Sequence, residues 1–475
     1  MVDATNTSSF FTSESGDHPQ HLTHTRKLIL VLIVCNGILC VTCSSSIYTT
    51  TYAQIDEEFK SDTLLSTAGL SSFVFGIGLG PLITGPLSEQ HGRRPVYLIS
   101  WILFIIWTIP SAIGKNITTL IITRFLAGLA GGTYLSVAGG TVSDIYPKDR
   151  IKIPMALVSA AAFIGPCLGP VLGGFINYHQ NWRWTYCFIL IWAALLLIAV
   201  LIMVPETHRR VRSSRESTSA GKKVRDTGAT VADPDVRSEQ RDRLLLLRPL
   251  YLLLYEPMCT ILSIYTAILL GILYLFFGGI PMIVQELYGF NAWQAGLTFL
   301  GIICGMITAT VGIMISTYSS CKSPVSRLVS TKNGQPERHL PLAIFGSILN
   351  PLGLFWFAWS TRSDIHWMLP ITGSAVFGCG TILTFSGIFT YLVEAYHMYA
   401  ASVLASNGLL RCTFAAIFPL FGAKMYNSLG FTWANTVLAF MTVLLMPFPY
   451  IFFIFGQRLR MKSNFARGSE ILGCR

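Results

Sequence analysis

Two arginines stand inside long apolar runs of this sequence, where a charge is costly. Arg124 lies in Ile121-Ile-Thr-Arg-Phe-Leu-Ala-Gly, and Arg411 lies in Gly408-Leu-Leu-Arg-Cys-Thr-Phe. A guanidinium keeps its proton at every relevant pH, and placing one at the centre of a bilayer costs about 2.5 kcal/mol or far more. We therefore predict that Arg124 faces a cavity, with Arg411 as a second cavity charge. A fixed charge there can hold an acid, a solute or a proton-exchanging group.

The carboxylates closest to the apolar runs fall at the ends of those runs: Glu89, Asp144, Glu256, Glu286 and Glu394. A multiply charged cation would need a carboxylate in the middle of a span, so neutral or weakly anionic organic solutes fit better. Glu394 allows two interpretations. It is either a proton carrier or a solvated carboxylate paired with a neighbouring basic loop.

A solute site of this kind would be lined by aromatic and small polar groups. Five residues of the apolar runs have suitable side chains: Asn36, Tyr134, Tyr265, Tyr274 and Asn407. The cysteines lie mostly inside apolar runs and are best explained as small apolar side chains. We expect no metal site and no cofactor.

The elements that must position these residues are membrane-spanning helices. Of the 475 residues, 52% are hydrophobic and only 12% are charged, whereas soluble proteins carry about 25% charged residues. The apolar stretches have the ~20-residue length of a spanning helix and no period-two alternation. No cleavable signal peptide is expected, because further spans follow the first apolar run.

The spans fall into two groups of six, which predicts an all-α membrane protein of two six-helix halves. The first group covers about 27–49, 64–84, 95–113, 117–142, 153–177 and 184–204, and the second 255–279, 294–316, 339–360, 367–392, 401–424 and 432–455. We predict an arm (1–26), the first half (27–204), a linker (205–254), the second half (255–455) and a tail (456–475). The end of the linker, 241–248, could form a short amphipathic helix.

The distribution of Lys and Arg predicts the orientation. With both termini in the cytosol, 27 of the 34 basic residues fall on the inner side and five on the outer side. This satisfies the positive-inside rule, so the net charge of +11 requires no nucleic acid. The expected surroundings are a lipid bilayer around a monomer.

The loop between spans two and three reads Gly85-Pro-Leu-Ser-Glu-Gln-His-Gly-Arg-Arg-Pro95. Gly85 and Gly92 would permit a tight turn and close helix approach, and Glu89 and Arg93 could pair. The segment resembles the loop signature of the major facilitator superfamily. That resemblance implies a cytosolic gate latch formed by Gly85, Glu89, Gly92, Arg93, Arg94 and Asp144, and a role for Arg124 in proton coupling. Alternatively, Arg93 and Arg94 serve only the positive-inside rule.

Span five carries a glycine repeat with two prolines, Gly165-Pro-Cys-Leu-Gly-Pro-Val-Leu-Gly-Gly174. Gly165, Gly169 and Gly173 share one helix face, against which another helix can pack, while Pro166 and Pro170 bend the segment. The ten-residue pattern, which ends at Gly174, resembles the signature of superfamily members that exchange a solute for protons. Ordinary small-residue packing is the alternative.

Further motifs resemble the fungal drug:proton antiporter family with twelve spans: Trp182-Arg-Trp184, Pro205-Glu-Thr207, Tyr391-Leu-Val-Glu-Ala-Tyr396 and Phe418-Pro-Leu-Phe421. The resemblance covers about residues 40–460, and its nearest branch includes polyamine exporters and secondary-metabolite efflux pumps. It implies export of a drug, toxin or metabolite across the plasma membrane, or the vacuolar membrane, by proton antiport.

The alternatives are a polyamine:proton antiporter and a nutrient symporter or facilitator of the same fold. An enzyme is disfavoured because the sequence has no HExxH motif, and a Walker A loop is absent too. Asn116-Ile-Thr118 is a glycosylation sequon on a predicted outer loop that is too short to favour glycan attachment.

Overall fold

The computed structural model describes residues 23–146, 151–205, 249–320, 336–396 and 399–462, and its long elements are all helices. Within these ranges, twelve stretches are long and apolar enough to cross a membrane, and the shortest has 21 residues. A hydrocarbon core of about 30 Å needs about 20 residues of helix. The prediction of an all-α protein with twelve spans is confirmed.

Seven helices and a 3-10 segment build the first six spans. They are α1 (His24–Ser46), the 3-10 segment Ile47–Thr51, α2 (Tyr52–Phe59), α3 (Thr63–His91), α4 (Arg93–Ile113), α5 (Ile117–Ile145), α6 (Lys152–His179) and α7 (Arg183–Met203). The 3-10 segment joins α1 and α2 into one long span.

Eight helices and a second 3-10 segment build the other six spans. They are α8 (Pro257–Tyr288), α9 (Ala292–Leu297), α10 (Phe299–Ser320), the 3-10 segment Pro336–His339, α11 (Leu340–Ser360), α12 (Met368–Ala395), α13 (Ala400–Leu429), α14 (Phe431–Leu445) and α15 (Pro447–Lys462). We call the end at which α7 finishes and α8 begins the linker end, and the opposite end the far end. The predicted amphipathic segment 241–248 lies outside the described residues.

Several helices run past the spans predicted from the sequence. The first span continues to Phe59, α8 to Tyr288, and the last span to beyond residue 455. Hydropathy finds only the residues that cross the lipid, whereas a helix continues until a residue ends it. Gly289 ends α8 in the left-handed conformation (φ 65°), a position that glycine occupies without strain.

The two halves repeat the same close helix crossings. A Cβ at Gly76 of α3 would lie 2.4 Å from the carbonyl oxygen of Phe125 on α5, and one at Gly305 of α10 would fall on that of Ala375 on α12. The two crossings are equivalent, because α3 and α5 are the second and fourth spans of the first half, and α10 and α12 are the second and fourth spans of the second half. Both positions require glycine because backbone meets backbone. The internal repeat is thus visible in the packing.

The halves pack closely against each other toward the far end. On α6, a Cβ at Gly174 would lie 2.9 Å from the carbonyl oxygen of Ala292, and one at Gly296 of α9 would lie 2.4 Å from that of Pro170. The Phe175 and Trp293 rings stack across the same interface. These contacts bring backbone to backbone, so they close the far end.

The same two halves separate toward the linker end. A Cβ at Gly78 of α3 would lie 2.6 Å from Cβ of Cys412 on α13. Gly85 lies about two turns closer to the linker end on the same face of α3, yet a Cβ there would meet no atom within 4 Å, and the same holds for Gly408 on α13. These open positions indicate that α3 and α13 are further apart toward the linker end than at mid-span, and we call the space between them the gap.

Candidate functional site

The loop between α3 and α4 contains a compact ionic contact at the linker end. Arg93 begins α4, and its Nε lies 3.3 Å from Oδ2 of Asp144, near the end of α5. Its Nη1 donates to Oγ of Ser88 at 2.6 Å. The guanidinium lies flat over Gly140, where a Cβ would come within 2.6 Å of Cζ. These contacts join the linker ends of three helices.

The other residues of the predicted latch have different surroundings. Gly92 has φ 97°, which ends α3 and which glycine tolerates. Arg94 donates from Nη2 to the carbonyl oxygen of Leu201 on α7. Gly85 makes no close approach in this structure, because its side faces the open gap. The side chain of Glu89 lies outside the described residues, so its predicted pairing with Arg93 stays a prediction.

Arg124 is enclosed within the first half. Its side chain is buried, 2% exposed, between the rings of Tyr48 and Phe73, whose centroids lie 4.1 and 4.8 Å from Cζ. Nε donates to the carbonyl oxygen of Gly69 at 2.8 Å, and Nη2 donates to that of Ser45 at 3.1 Å. Two longer contacts, to Ser44 O and Tyr186 Oη, measure 3.4 Å.

Arg124 is enclosed in this conformation, and its predicted role as a cavity or proton-coupling charge stays a prediction. Its acceptors are backbone carbonyl oxygens: those of Ser44 and Ser45 at the end of α1, and that of Gly69 on α3. Buried donors can be satisfied in this way without a carboxylate. The sequence does not reveal these acceptors, because they belong to the backbone of other helices. Arg124 thereby fixes the backbone of α1 at Ser45.

Ser45 also connects the two halves. Its Oγ donates to the carbonyl oxygen of Thr42 at 2.6 Å and lies 2.9 Å from Oη of Tyr274 on α8. Because the Ser45 hydroxyl proton is used within α1, the Tyr274 hydroxyl is the donor across the interface. Tyr274, a predicted cavity residue, is therefore buried at the contact between the halves rather than lining open space.

Arg411 has surroundings unlike those of Arg124. Three phenylalanine rings surround its Cζ, with centroids at 5.7 Å (Phe163), 5.5 Å (Phe385) and 5.0 Å (Phe389). Phe163 belongs to α6 of the first half, and its ring lies 4.4 Å from that of Phe385 on α12. Nε is buried without a hydrogen-bond partner among the described residues. Arg411 thus lies at the interface, in an aromatic enclosure built by both halves.

One turn before Arg411 on α13 lies Asn407, another predicted cavity residue. Its Nδ2 donates to Oγ1 of Thr266 at 2.8 Å and to Oγ of Ser263 at 3.2 Å, both on α8. The side chain is 1% exposed. Asn407 therefore ties α13 to α8 inside the second half.

The remaining predicted cavity residues are not brought to the interface. Tyr134 is buried between α4 and α5, with its ring centroid 4.8 Å from that of Trp101, and Tyr265 is fully buried in the second half. Asn36 accepts a hydrogen bond from Nε1 of Trp192 on α7. Nine residues separate it from Ser45, which places the two on opposite faces of α1. In this conformation these three occupy packing positions, and their assignment to a solute cavity stays a prediction.

The glycine face of span five packs on α1. A Cβ at Gly165 would collide with Oγ1 of Thr42, one at Gly169 would lie 2.5 Å from the backbone nitrogen of Ile47, and one at Gly173 would lie 2.8 Å from Cγ1 of that residue. Pro166 and Pro170 lie inside α6, and Ser46 donates to the carbonyl oxygen of Pro166. The next residue, Gly174, contacts the second half as described above. The ten-residue motif thus serves two interfaces on different faces of α6.

Glu394 forms an ion pair at the linker end of α12. Its Oε1 lies 2.9 Å from Nη2 of Arg338 and 3.0 Å from Nε2 of His339. This geometry favours the interpretation of a carboxylate paired with neighbouring basic groups. The pair mirrors Arg93 with Asp144, since both acids stand next to the last residue of their helix.

A second ionic contact in this half was missed by the sequence analysis. Glu337 is 1% exposed and accepts from Nε and Nη2 of Arg460 on α15, each at 3.1 Å. Both residues had been assigned to the solvated loop and tail. The one available signal was Gly456, whose missing side chain makes room for Glu337 Oε1.

Two other predictions concern the periphery of the molecule. Asn116 caps α5, because its Oδ1 accepts from the backbone nitrogen of Thr119 at 2.9 Å. Its glycosylation stays a prediction.

Among the described residues, no group of His, Cys, Asp and Glu has the arrangement of a metal site.

Comparison with known proteins identifies the family. The profile described as Major Facilitator Superfamily matches residues 34–419, most of the chain. This protein belongs to the major facilitator superfamily. Membership confirms the predicted family and a membrane transporter with multiple spans, and it rules out the enzyme alternative. The twelve helices described above are the spans of that fold.

Curated relatives cover nearly the whole chain. Efflux pump atB of Aspergillus terreus is 46% identical over 82% of this chain and 83% of its own length. The probable drug/proton antiporter YHK8 of Saccharomyces cerevisiae is 37% identical over 96% of this chain and 88% of its own. The human organic anion transporter MFSD10 has the same fold, with a TM-score of 0.65 over 90% of this chain and all of its own, at 16% identity. That last likeness concerns the fold alone.

Proposed function

We propose that this protein exports small organic solutes from the cytosol in exchange for protons, by alternating access. The relatives at 46% and 37% identity are named as an efflux pump and a probable drug/proton antiporter. The observation that carries the mechanism is the gap between α3 and α13, which opens to the linker end while the far end is closed. We place the linker and both termini in the cytosol, by the positive-inside rule, and the protein as a monomer in the plasma membrane.

With that orientation, the described conformation is the one that loads a solute for export. Solute would enter from the cytosol between α3 and α13 and reach mid-span, where Gly78 and Cys412 close the path. Release would require the contacts of α6 with α9 to part and the gap at the linker end to close. The ionic contact of Arg93 with Asp144 lies at the linker end of the first half and would support the closed linker end.

Proton exchange requires a group that changes its protonation during the cycle. Glu394 is paired with Arg338 and His339 in this conformation, so it would take up a proton only in a state in which that pairing is broken. Arg124 would act indirectly in this scheme, by holding the backbone of α1 at the contact between Ser45 and Tyr274. A polyamine substrate is disfavoured, because a polyamine needs carboxylates to pair with its positive charges. The described groups around Arg411 are three phenylalanine rings.

The proposal is tested in a yeast host that lacks its own efflux pumps. Expression should lower the intracellular accumulation of at least one compound from a panel of neutral aromatic drugs and aromatic acids, and a protonophore should abolish the effect. Increased accumulation of a panel compound would instead identify an importer. Export that survives the protonophore would contradict the coupling.

Gly85 provides a variant that separates turnover from folding. A Cβ at this position would meet no neighbouring atom within 4 Å, so Gly85→Leu should keep normal abundance and thermal stability. It should nevertheless block closure of the linker end and reduce export by about tenfold or more. Gly312→Leu is the matched control, because that exposed glycine of α10 also has open space beside it. Normal export by Gly85→Leu would mean that α3 and α13 do not close on each other.

A further inference from the structure

We infer that the aromatic enclosure around Arg411 is a binding site for the carboxylate of an aromatic organic acid. This inference rests on the proposed export function and names the substrate class. The enclosure is made by Arg411 of α13 together with Phe163, Phe385 and Phe389.

The first argument concerns the unmet hydrogen bonds of the guanidinium. Arg411 has five N–H donors and, among the described residues, makes no hydrogen bond and no ion pair. Nε is buried without any partner. An unpaired charge in apolar surroundings is costly, and buried donors are almost always satisfied. Arg124 shows that this chain can satisfy a buried guanidinium with its own carbonyl oxygens. The described surroundings of Arg411 do not provide such acceptors.

The second argument concerns position. Arg411 lies one residue from Cys412, which closes the path against Gly78, and three residues from Gly408, whose side faces the gap. Arg411 is partly exposed, in contrast to Arg124. About 16 Å of helix separates it from the start of α13, at ~1.5 Å per residue. Arg411 therefore lies near the depth at which Gly78 meets Cys412, and its guanidinium is on the side of α13 that faces α6 and α12.

The third argument concerns chemical class. The planar fork of an arginine binds a carboxylate with two parallel hydrogen bonds. Phenylalanine rings offer apolar surface for the remainder of the ligand and prefer offset or edge contacts with another ring. A single cation neutralises a single negative charge, which favours a monocarboxylate over a phosphate ester or a dicarboxylate.

The site also explains how a ligand would act on both halves. Phe163 belongs to the first half, while Arg411, Phe385 and Phe389 belong to the second. A ligand held between them would replace the direct contact of Phe163 with Phe385 at 4.4 Å. Binding would thus change the interface that must rearrange during transport.

The test measures binding of two probes of the same shape, 1-naphthoate and its neutral amide 1-naphthamide, to the purified full chain by equilibrium dialysis at pH 7.5. The wild type should bind the carboxylate about tenfold more tightly than the amide, as expected for charge-assisted hydrogen bonds. Arg411→Gln should remove this preference, and Arg411→Lys should retain only part of it, since lysine lacks the fork.

Lys424→Gln is the matched control, because Lys424 is an exposed cation on the same helix, and it should bind both probes as the wild type does. Unfolding temperatures of all variants establish that they are folded. Equal binding of acid and amide by the wild type, or unchanged affinity for naphthoate in Arg411→Gln, would overturn the proposed site.

A second measurement separates this inference from the exporter proposal. Inside-out vesicles with an acid interior should accumulate 1-naphthoate, although passive distribution of a weak acid runs the other way. Binding that depends on Arg411 without such accumulation would retain the site and reject proton-driven export. Proton-driven export of other compounds that is indifferent to Arg411→Gln would retain the exporter and reject the site.

Discussion

The two intramembrane arginines were equivalent in the sequence and differ in the structure. Arg124 is held by carbonyls of its own half and is buried between two aromatic rings. Arg411 is at the interface of the halves, surrounded by rings from both, with a buried Nε that has no partner among the described residues. The first charge is part of a rigid unit, whereas the second belongs to a surface that must change during transport.

This difference indicates that the two arginines have different roles: Arg124 stabilises the fold, and Arg411 is available to bind a ligand. A guanidinium whose donors are all used stabilises the backbone that it binds, and a ligand has little to offer it. A guanidinium whose donors are unused costs stability in the empty protein and favours binding of an anion. Functional sites often carry such a local cost, because the bound ligand removes it.

The largest expected effect comes from removing the satisfied charge. Arg124→Met removes the charge-assisted hydrogen bonds to the carbonyl oxygens of Gly69 and Ser45, so we expect a loss of stability of about 3 kcal/mol or more. Thermal unfolding of the purified variant measures this loss. Arg183→Met is the matched control, because Arg183 pairs with Glu58 at the exposed far end, where an ion pair contributes about 1 kcal/mol or less. If the two variants unfold alike, the carbonyls around Arg124 do not depend on it.

A smaller effect of opposite sign is expected for the other arginine. Arg411→Met replaces a charge without partners by an apolar side chain among phenylalanines, which should raise stability by about 1 kcal/mol while export of aromatic acids is lost. Unfolding temperature and vesicle flux measure the two effects. Lys424→Met, on the exposed side of the same helix, should change neither. A destabilised Arg411→Met would mean that Arg411 has structural partners, and the contrast with Arg124 would disappear.

The smallest effect concerns the hydrogen bond that links the regions of the two arginines. Tyr274→Phe removes the donor to Ser45 and with it about 1 kcal/mol, so the population closed at the far end should fall about fivefold relative to the open one. Distances between spin labels at the exposed far-end residues Gln180 and Asp364 measure the two populations.

Tyr450→Phe serves as the control for that measurement, because Tyr450 is an exposed tyrosine on α15. An unchanged distance distribution in Tyr274→Phe would show that the close packing of α6 on α9 holds the far end shut without this bond.

Much of the fold could be predicted from the sequence because lipid imposes a simple rule. Apolar stretches of ~20 residues must form helices that satisfy their own backbone, and the twelve spans appear where hydropathy put them. Gly165, Gly169 and Gly173 lie on one helix face by periodicity alone. The family pattern assigned Arg93 and Asp144 to one latch, although the pairing predicted for Arg93 was with Glu89. The ends of the helices could not be predicted from hydropathy, because residues such as Gly289 end helices outside the lipid.

The sequence by itself therefore determined the class of protein and the number of spans, because these depend on composition and on the length of each apolar stretch. The tertiary structure alone decided which partners each charge meets. The carbonyls around Arg124 and the rings around Arg411 come from segments far apart in the chain. Spacing within a helix carries no information about which neighbouring helix its side chains contact. For the same reason, Glu337 and Arg460 looked like solvated charges until the fold brought them together in a buried pair.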